Sequence, residues 1–349
     1  MDMKRDYFED VRLFTSAAVV VWFVVLIGAL AVFPFVVPNY YIYMANFMAI
    51  NVIVAVGLNL LVGFTGQISL GHSGFFAIGA YGTVVLMKYV GLPFLLALPA
   101  AGLIAALFGF LIGFPALRLE GPYLAIATLG FGITISLVIG KIELFGGRQG
   151  LHAPELRIGS WQLKTDRDFY LLLMIITVLM VLFARNLVRT RVGRAFIAVR
   201  DDDVAAETMG VNLTYYKTLA FAISAFYAGV GGGLYAYVLR FIEPELFNLV
   251  LSIFFLAFIV VGGLGSIMGG IMGACLISWL DLTLRHIQDL PYIGAWLEML
   301  SENYFSITGI SNIQYIILGL IMVLVMVFEP LGIYGIWLRT KRFWMTWPF

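Results

Sequence analysis

Apolar windows of about 20 residues, the length a helix needs to cross a bilayer, recur from one end of this sequence to the other. In lipid every backbone N–H and C=O must find its partner inside the protein, which leaves helices and closed barrels as the spanning forms. The windows fall near 14–36, 42–62, 74–90, 93–113, 123–140, 169–187, 217–239, 249–263, 266–283 and 312–329, about ten in all. The expected fold class is all-α: a polytopic helical membrane protein with glycine-rich broken helices, formed by residues 1–349 as a single transmembrane domain. Composition agrees, with 12% charged residues against roughly 25% in soluble domains. No polar segment is long enough for a soluble catalytic domain. The net charge of +1 gives no sign of a nucleic-acid partner, and Cys275, the sole cysteine, excludes an internal disulfide.

The first run, Leu13 to Val37, follows Lys4, Arg5 and Arg12 and contains Ala29-Leu30-Ala31, which has the form of a signal-peptidase site. Its length exceeds a signal-peptide core, so it is expected to be a retained span. Basic residues orient the chain, because cytoplasmic loops hold the excess of Lys and Arg. Most of the 21 fall on one side: Lys4, Arg5, Arg12, Arg118, Arg185, Arg189, Arg191, Arg194, Arg200, Lys217, Arg339, Lys341 and Arg342. Both termini are then cytoplasmic, with outer loops at about 141–168 and 284–311. The first of these loops runs against the rule, since it carries Lys141, Arg148, Arg157, Lys164 and Arg167.

Two glycine-dense stretches interrupt the helical pattern. The first is GFTGQISLGHSG, Gly63 to Gly74, and the second VGGLGSIMGGIMG, Val261 to Gly273. Such clusters mark either tight helix packing or unwound backbone that lines a passage. Gly109 with Gly113, Gly229 with Gly233 and Gly269 with Gly273 fit the small-xxx-small packing pattern. On the passage reading the lining residues are Gly66, Gln67, Ser69, His72, Gly262, Gly263 and Gly265. His72 is either a proton relay or a ring satisfied by a nearby carbonyl, and no Asp or Glu lies in its segment. Asp281 and Arg285 stand four apart at the outer end of a span and are expected to pair.

Between two spans lies a polar island, Gly193 to Asn212, inside a cytoplasmic loop of about 188–216. Asp201, Asp202 and Asp203 offer helix caps, Val204 to Met209 suit a short helix, Glu207 favours its positive end, and Gly210 is a natural stop. Arg194 and Arg200 flank the approach, and Ala205, Ala206 and Met209 make a small apolar face. Three consecutive aspartates in a basic loop point to protein docking. Enzymatic signatures are missing: GHSGF at Gly71 lacks the second glycine of a nucleophile elbow, and there is no Walker A, HExxH or cysteine-histidine metal spacing. The chain is expected to hold no catalytic residue, cofactor or metal, so any ATP it depends on is hydrolysed by another subunit.

Several separated motifs then carry a resemblance: GLNLLVGFTGQISLGHSGFFAIGAY (Gly57 to Tyr81), GFPALRLEGPYLAIATLGFG (Gly113 to Gly132), FGGRQGL (Phe145 to Leu151) and GRAFIAVRDDDVAAETMGVN. AFAISAFYAGVGGGLYA (Ala220 to Ala236), VVGGLGSIMGG (Val260 to Gly270) and FEPLGI (Phe328 to Ile333) extend it nearly to the C-terminus. Together they resemble the LivM-type permease subunit of branched-chain amino acid ABC importers. The resemblance implies a permease in the bacterial inner membrane, working with a second, LivH-like permease, two cytoplasmic ATPase subunits that bind ATP and magnesium, and a periplasmic solute-binding protein. It implies that the segment around Arg200 to Gly210 is the ATPase-coupling helix. Where the family has a TGGPNG-like stretch this chain reads FGGRQG, placing Arg148 and Gln149 where they could meet the binding protein. Related permeases carry urea or short amides, so the substrate stays open between these and branched-chain amino acids. An ion-coupled secondary transporter is the distant alternative, with few mid-span acids to support it.

Overall fold

The computed structural model describes residues 17–116, 119, 121–158, 161–162, 165–287, 311–329 and 331–346. Lys4, Arg5, Arg12, Arg118 and most of the 284–311 loop lie outside the described residues, as does the side chain expected to pair with Asp281. The helices are α1 (Ala17–Val36), α2 (Asn39–Thr65), α3 (His72–Lys88), α4 (Phe94–Ala116), α5 (Pro122–Ile139), α6 (Asp166–Arg189), α7 (Arg191–Asp201), α8 (Asp203–Thr208), α9 (Leu213–Leu239), α10 (Leu249–Gly262), α11 (Ile267–Ile287), α12 (Ser311–Phe328) and α13 (Gly332–Thr346). Each apolar window contains a helix. Among the described residues six helices, α2, α4, α5, α6, α9 and α11, are long and apolar enough to cross a membrane, and α12 with α13 forms one further pair bent by 44°. The chain is a polytopic helical membrane protein.

Two helices form the centre. In α2 and α9 the apolar windows are 78% and 72% buried, against 22–33% for the other four, so these two are wrapped by the rest of the chain while the others leave most of their apolar surface outside. Sequence explains the choice: α9 carries Gly229, Gly231, Gly232 and Gly233, and without side chains there α2, α3 and α4 approach its backbone closely. Phe76, Tyr235, Phe247 and Phe255 form an aromatic cluster beside this centre. The paired glycines read from the sequence as packing residues are used that way, Gly109 against Ala225 and Phe221, Gly229 against Gly102 and Ala105, and Gly273 against Phe258.

The tightest crossing yields an expected outcome. A Cβ on Gly79 would strike the Gly229 carbonyl group, backbone against backbone, whereas a Cβ on Gly130 meets nothing within 4 Å. Gly79→Val should therefore cost more than the roughly 1–3 kcal/mol of ordinary overpacking, seen as a lowered unfolding temperature or loss of monodisperse protein in detergent. Gly130→Val should leave both unchanged; equal behaviour of the two variants would refute this packing.

The end of the bundle away from α7 and α8 is capped by short pieces. Two 3-10 turns, Glu143–Phe145 and Gly147–Gln149, lead into β1 (Leu151–His152), which pairs antiparallel with β4 (Phe241–Ile242) just beyond α9. A second small pair joins β2 (Arg157–Ile158) to β3 (Trp161–Gln162). Another 3-10 turn, Pro244–Phe247, enters α10. At the other end, α7 and α8 cross between α6 and α9.

Candidate functional site

The polar island folds as two helices rather than one. Thr190 caps α7 by accepting from the Val192 N–H, Asp202 caps α8 by accepting from Ala205 at 2.9 Å, and Asn212 caps α9 by accepting from Tyr215 at 3.0 Å. The three aspartates thus have three tasks. Asp201 ends α7 and holds the Arg200 guanidinium at 2.8 and 3.0 Å; Asp202 is the cap; Asp203 pairs with Lys217 in the first turns of α9. Gly210 takes a left-handed conformation, φ 85°, directly after α8, as the stop signal requires.

One apolar side of α7, with Gly193, Ala195, Phe196 and Val199 buried, packs against α2, α6 and α9. Arg194 stays exposed on the opposite side. In α8 Val204, Ala205, Glu207 and Thr208 are exposed, and Met209, its C-cap, is 85% exposed. Ala206 does not belong to that face: the turn of the helix takes it inward, where it is buried. Val204, not read from the sequence as part of the face, is 72% exposed and belongs to it.

Arg200 is the link between this island and the glycine stretches. Besides Asp201, its Nη1 donates to the Gly63 carbonyl at 3.1 Å. Its side chain lies beside Gly66 and Gly265, so that a Cβ on Gly265 would come within 2.9 Å of Nη1. Gly66 ends α2 with φ 72°, a conformation that favours glycine. Asn59, fully buried one turn before Gly63, completes the joint. Its Nδ2 donates to the Ser266 carbonyl at 2.7 Å and to that of Gly263 at 3.5 Å, and its Oδ1 accepts from the Gly265 N–H at 2.9 Å. Gly263, φ 126°, and Gly262 are buried against the start of α13 and against Gly269. Asn59 thus ties the stretch between α10 and α11 to α2.

From Gly66 the chain runs without helix to Gly71 and re-enters the bundle. Ser73 meets Ser252 of α10, its N–H donating to Ser252 Oγ at 3.0 Å and the two hydroxyls lying 2.8 Å apart. Ser252 to Gly262 is roughly 15 Å of helix, so α3 begins well inside the protein. Its first polar groups are met there by side chains: the Leu70 N–H donates to Thr128 Oγ1 of α5 at 3.0 Å. His72 Nδ1 lies 3.0 Å from Ser69 Oγ and Nε2 lies 2.7 Å from Ser224 Oγ of α9. The ring is satisfied by two hydroxyls rather than the carbonyl expected of it, because α9 offers a serine at that depth. Gln67, also buried, donates to Thr65 Oγ1 at 3.0 Å, but its Oε1 has no hydrogen-bond partner among the described residues.

The sequence-read lining residues are therefore brought together around Arg200 and α3, yet they line packed backbone more than open space. A cavity of about 570 Å³ lies elsewhere, between α2, α9, α10 and α11, with Tyr43, Phe47, Asn51 and Tyr235 among its walls. Arg148 and Gln149 are exposed on the 3-10 turn Gly147–Gln149, separated from α7 by the length of α9, roughly 40 Å. Asn59, Thr128, Ser224 and Ser252 were not singled out from sequence; each is a lone polar residue in an apolar run, a signal that needs contact geometry to acquire meaning.

Comparison with known proteins follows the same lines. Residues 40–326 match the family described as branched-chain amino acid transport system / permease component. The chain is 37% identical to the high-affinity branched-chain amino acid transport system permease protein LivM of Escherichia coli (strain K12), over 89% of this chain and 74% of the relative. It is 35% identical to the LivM protein of Salmonella typhimurium, over 86% and 71%. It is 26% identical to the probable branched-chain amino acid transport permease protein LivH of Methanocaldococcus jannaschii, over 84% and 92%. No solved structure matches the chain.

Proposed function

The chain belongs to the family of branched-chain amino acid transport permease components, and on that premise we propose that it is the LivM-like half of a bacterial inner-membrane importer powered by separate ATPase subunits. Residues 1–349 form one permease domain that crosses the membrane about ten times, with both termini cytoplasmic. Its likeness to both LivM and LivH supports a second, LivH-like permease as partner. The substrate is a branched-chain amino acid. ATP and magnesium are held by the ATPase subunits, which dock on α7 and α8 through Arg194, Arg200, Asp201, Asp202, Asp203, Val204, Ala205, Glu207, Met209 and Gly210. Arg148 and Gln149 at the outer cap receive the periplasmic binding protein.

One observation carries the reading: the Arg200 guanidinium reaches from α7 to the Gly63 carbonyl and lies against Gly265, so a displacement of α7 is felt by both glycine stretches at once. ATP-driven closure of the ATPase pair moves α7 and α8. Gly66, Gln67, Ser69 and His72 on one side, and Gly262, Gly263 and Gly265 on the other, rearrange to pass substrate inward, with differential contacts in the two states supplying the bias.

The test is co-purification in mild detergent together with reconstituted uptake. Wild-type chain should retain the ATPase subunits, and Val204→Asp with Met209→Asp should weaken their retention at least tenfold, since removing a central interface contact costs about 2 kcal/mol. Undiminished retention and unchanged stimulation of ATP hydrolysis by loaded binding protein in that double variant would defeat the docking assignment. Proton-driven uptake by this polypeptide alone would defeat the reading as a whole.

A further inference from the structure

The last helix, α13, is not needed to cross the membrane. α12 alone is roughly 27 Å long, close to the hydrocarbon thickness, and α13 leaves its end at an angle of 44°. Only its beginning is packed. Gly332 is buried against the second glycine stretch, where a Cβ would come within 2.7 Å of the Gly263 nitrogen and of the Val261 carbonyl oxygen, and Tyr334 lies beside Gly263. Beyond that turn the helix is exposed, including Trp337, Phe343 and Trp344. Its residues are sorted by helical period. Ile333, Ile336, Trp337, Thr340, Phe343 and Trp344 recur at spacings of three and four and form one apolar, aromatic stripe. Arg339, Lys341 and Arg342 lie on the rest of the circumference, together with Tyr334, Leu338 and Met345, and α13 contains no acid. Glu329, just before it, pairs with Arg339.

We propose that α13 lies on the inner-leaflet surface, its tryptophans and phenylalanine in the headgroup–acyl boundary and Lys341 and Arg342 on anionic lipid headgroups, and that this contact biases the Gly263–Gly265 joint. The inference rests on the topology of the preceding subsection, which puts the C-terminus in the cytoplasm. Lipid is the partner favoured over protein because the helix emerges directly from a span at the membrane surface. Aromatic rings with polar tips sit best there, and a basic amphipathic helix without acids matches an anionic leaflet. Because the packed end of α13 touches the same joint that Asn59 and Arg200 hold, seating of the helix is transmitted to the part of the chain that must rearrange.

The experiment uses the assembled complex, reconstituted in phosphatidylcholine with and without phosphatidylglycerol. Anionic lipid is expected to raise wild-type uptake about fivefold, the effect of one cation well held at such a surface. In the double variant Lys341→Gln, Arg342→Gln, which spares the Arg339–Glu329 pair, the rise should fall below about twofold, with uptake in neutral lipid and retention of the ATPase subunits unchanged. A second readout is independent of transport: lipids brominated near the headgroup should quench tryptophan fluorescence, and the quenched fraction should be smaller in Trp344→Phe than in wild type, with Trp337 supplying part of what remains. Uptake indifferent to lipid charge, or quenching unaltered in Trp344→Phe, overturns the proposal. Loss of the ATPase subunits from the double variant also overturns it, by making α13 a protein-docking helix. Absence of uptake in every lipid with quenching intact would instead strike at the permease reading and leave the seating of α13 standing.

Discussion

Arg200→Ala is expected to lower binding-protein-stimulated uptake at least tenfold while the complex stays assembled. The side chain stands with one foot on each part: Nε and Nη2 on Asp201 of its own helix, Nη1 on the Gly63 carbonyl at the end of α2. Its removal leaves α7 anchored, because Phe196, Ala195 and Val199 still pack against the bundle, and a partly exposed ion pair contributes only about 0–1 kcal/mol to stability. What is lost is the polar connection through which a movement of α7 reaches the α2 terminus and the Gly265 turn. ATP hydrolysis should therefore persist but respond weakly to loaded binding protein, so that more ATP is consumed per substrate molecule carried. Arg200→Lys separates charge from geometry. A single ammonium lacks the planar fork that serves Asp201 and Gly63 together, and uptake should fall to a value between wild type and alanine. Normal coupling in the alanine variant, measured as ATP hydrolysed per substrate taken up, would remove Arg200 from the transmission path.

How much of this was legible beforehand depends on the range of the interaction involved. Each apolar window holds a helix, because the backbone's need for internal partners in lipid leaves little choice. The caps of the polar island were legible for a similar reason: a cap acts across three residues, and Asp202, Gly210 and the α8 segment could be placed from neighbours alone. The inward turn of Ala206 was not legible, since a six-residue helix shows too few turns for its buried side to declare itself. Nor was Arg200's grip on Gly63, 137 residues away in the chain, or the fact that His72 finds Ser224 rather than a carbonyl. α13 escaped notice for another reason. Its stripe of Trp and Phe mixed with Arg and Lys is neither apolar enough for a span nor polar enough for a loop, which is the composition of a helix that belongs at a surface.

Asn59 provides the sharpest test of how the two glycine stretches are joined, because it does with one side chain what a strand or a salt bridge does elsewhere. Asn59→Leu keeps the branched outline of the side chain, removes every polar contact and adds bulk where the Gly63 and Gly265 backbones lie close, so overpacking adds to the loss. The Gly265 N–H and the Ser266 carbonyl are then left without this partner in the interior, at about 1–3 kcal/mol each, so the unfolding temperature of the solubilised complex should drop and uptake with it. Asn59→Asp keeps an acceptor for the Gly265 N–H but turns the Nδ2 donor into an acceptor facing the Ser266 and Gly263 carbonyls at a fully buried position. Oxygen against oxygen, with a charge withdrawn from water, costs more than the missing bonds alone, and Asp should be no better than Leu. Asn59→Gln carries the same amide one methylene further, where the Gly63 and Gly265 backbones leave no room, and it should not rescue. The order expected is wild type well above Leu, Gln and Asp. The surviving fraction of each variant should also transport poorly, since a Gly263–Ser266 turn no longer tied to α2 cannot follow the displacement that Arg200 delivers to Gly63. Full stability of Asn59→Leu would show that the turn holds itself, and full activity of whatever protein remains would show that transport does not pass through this joint.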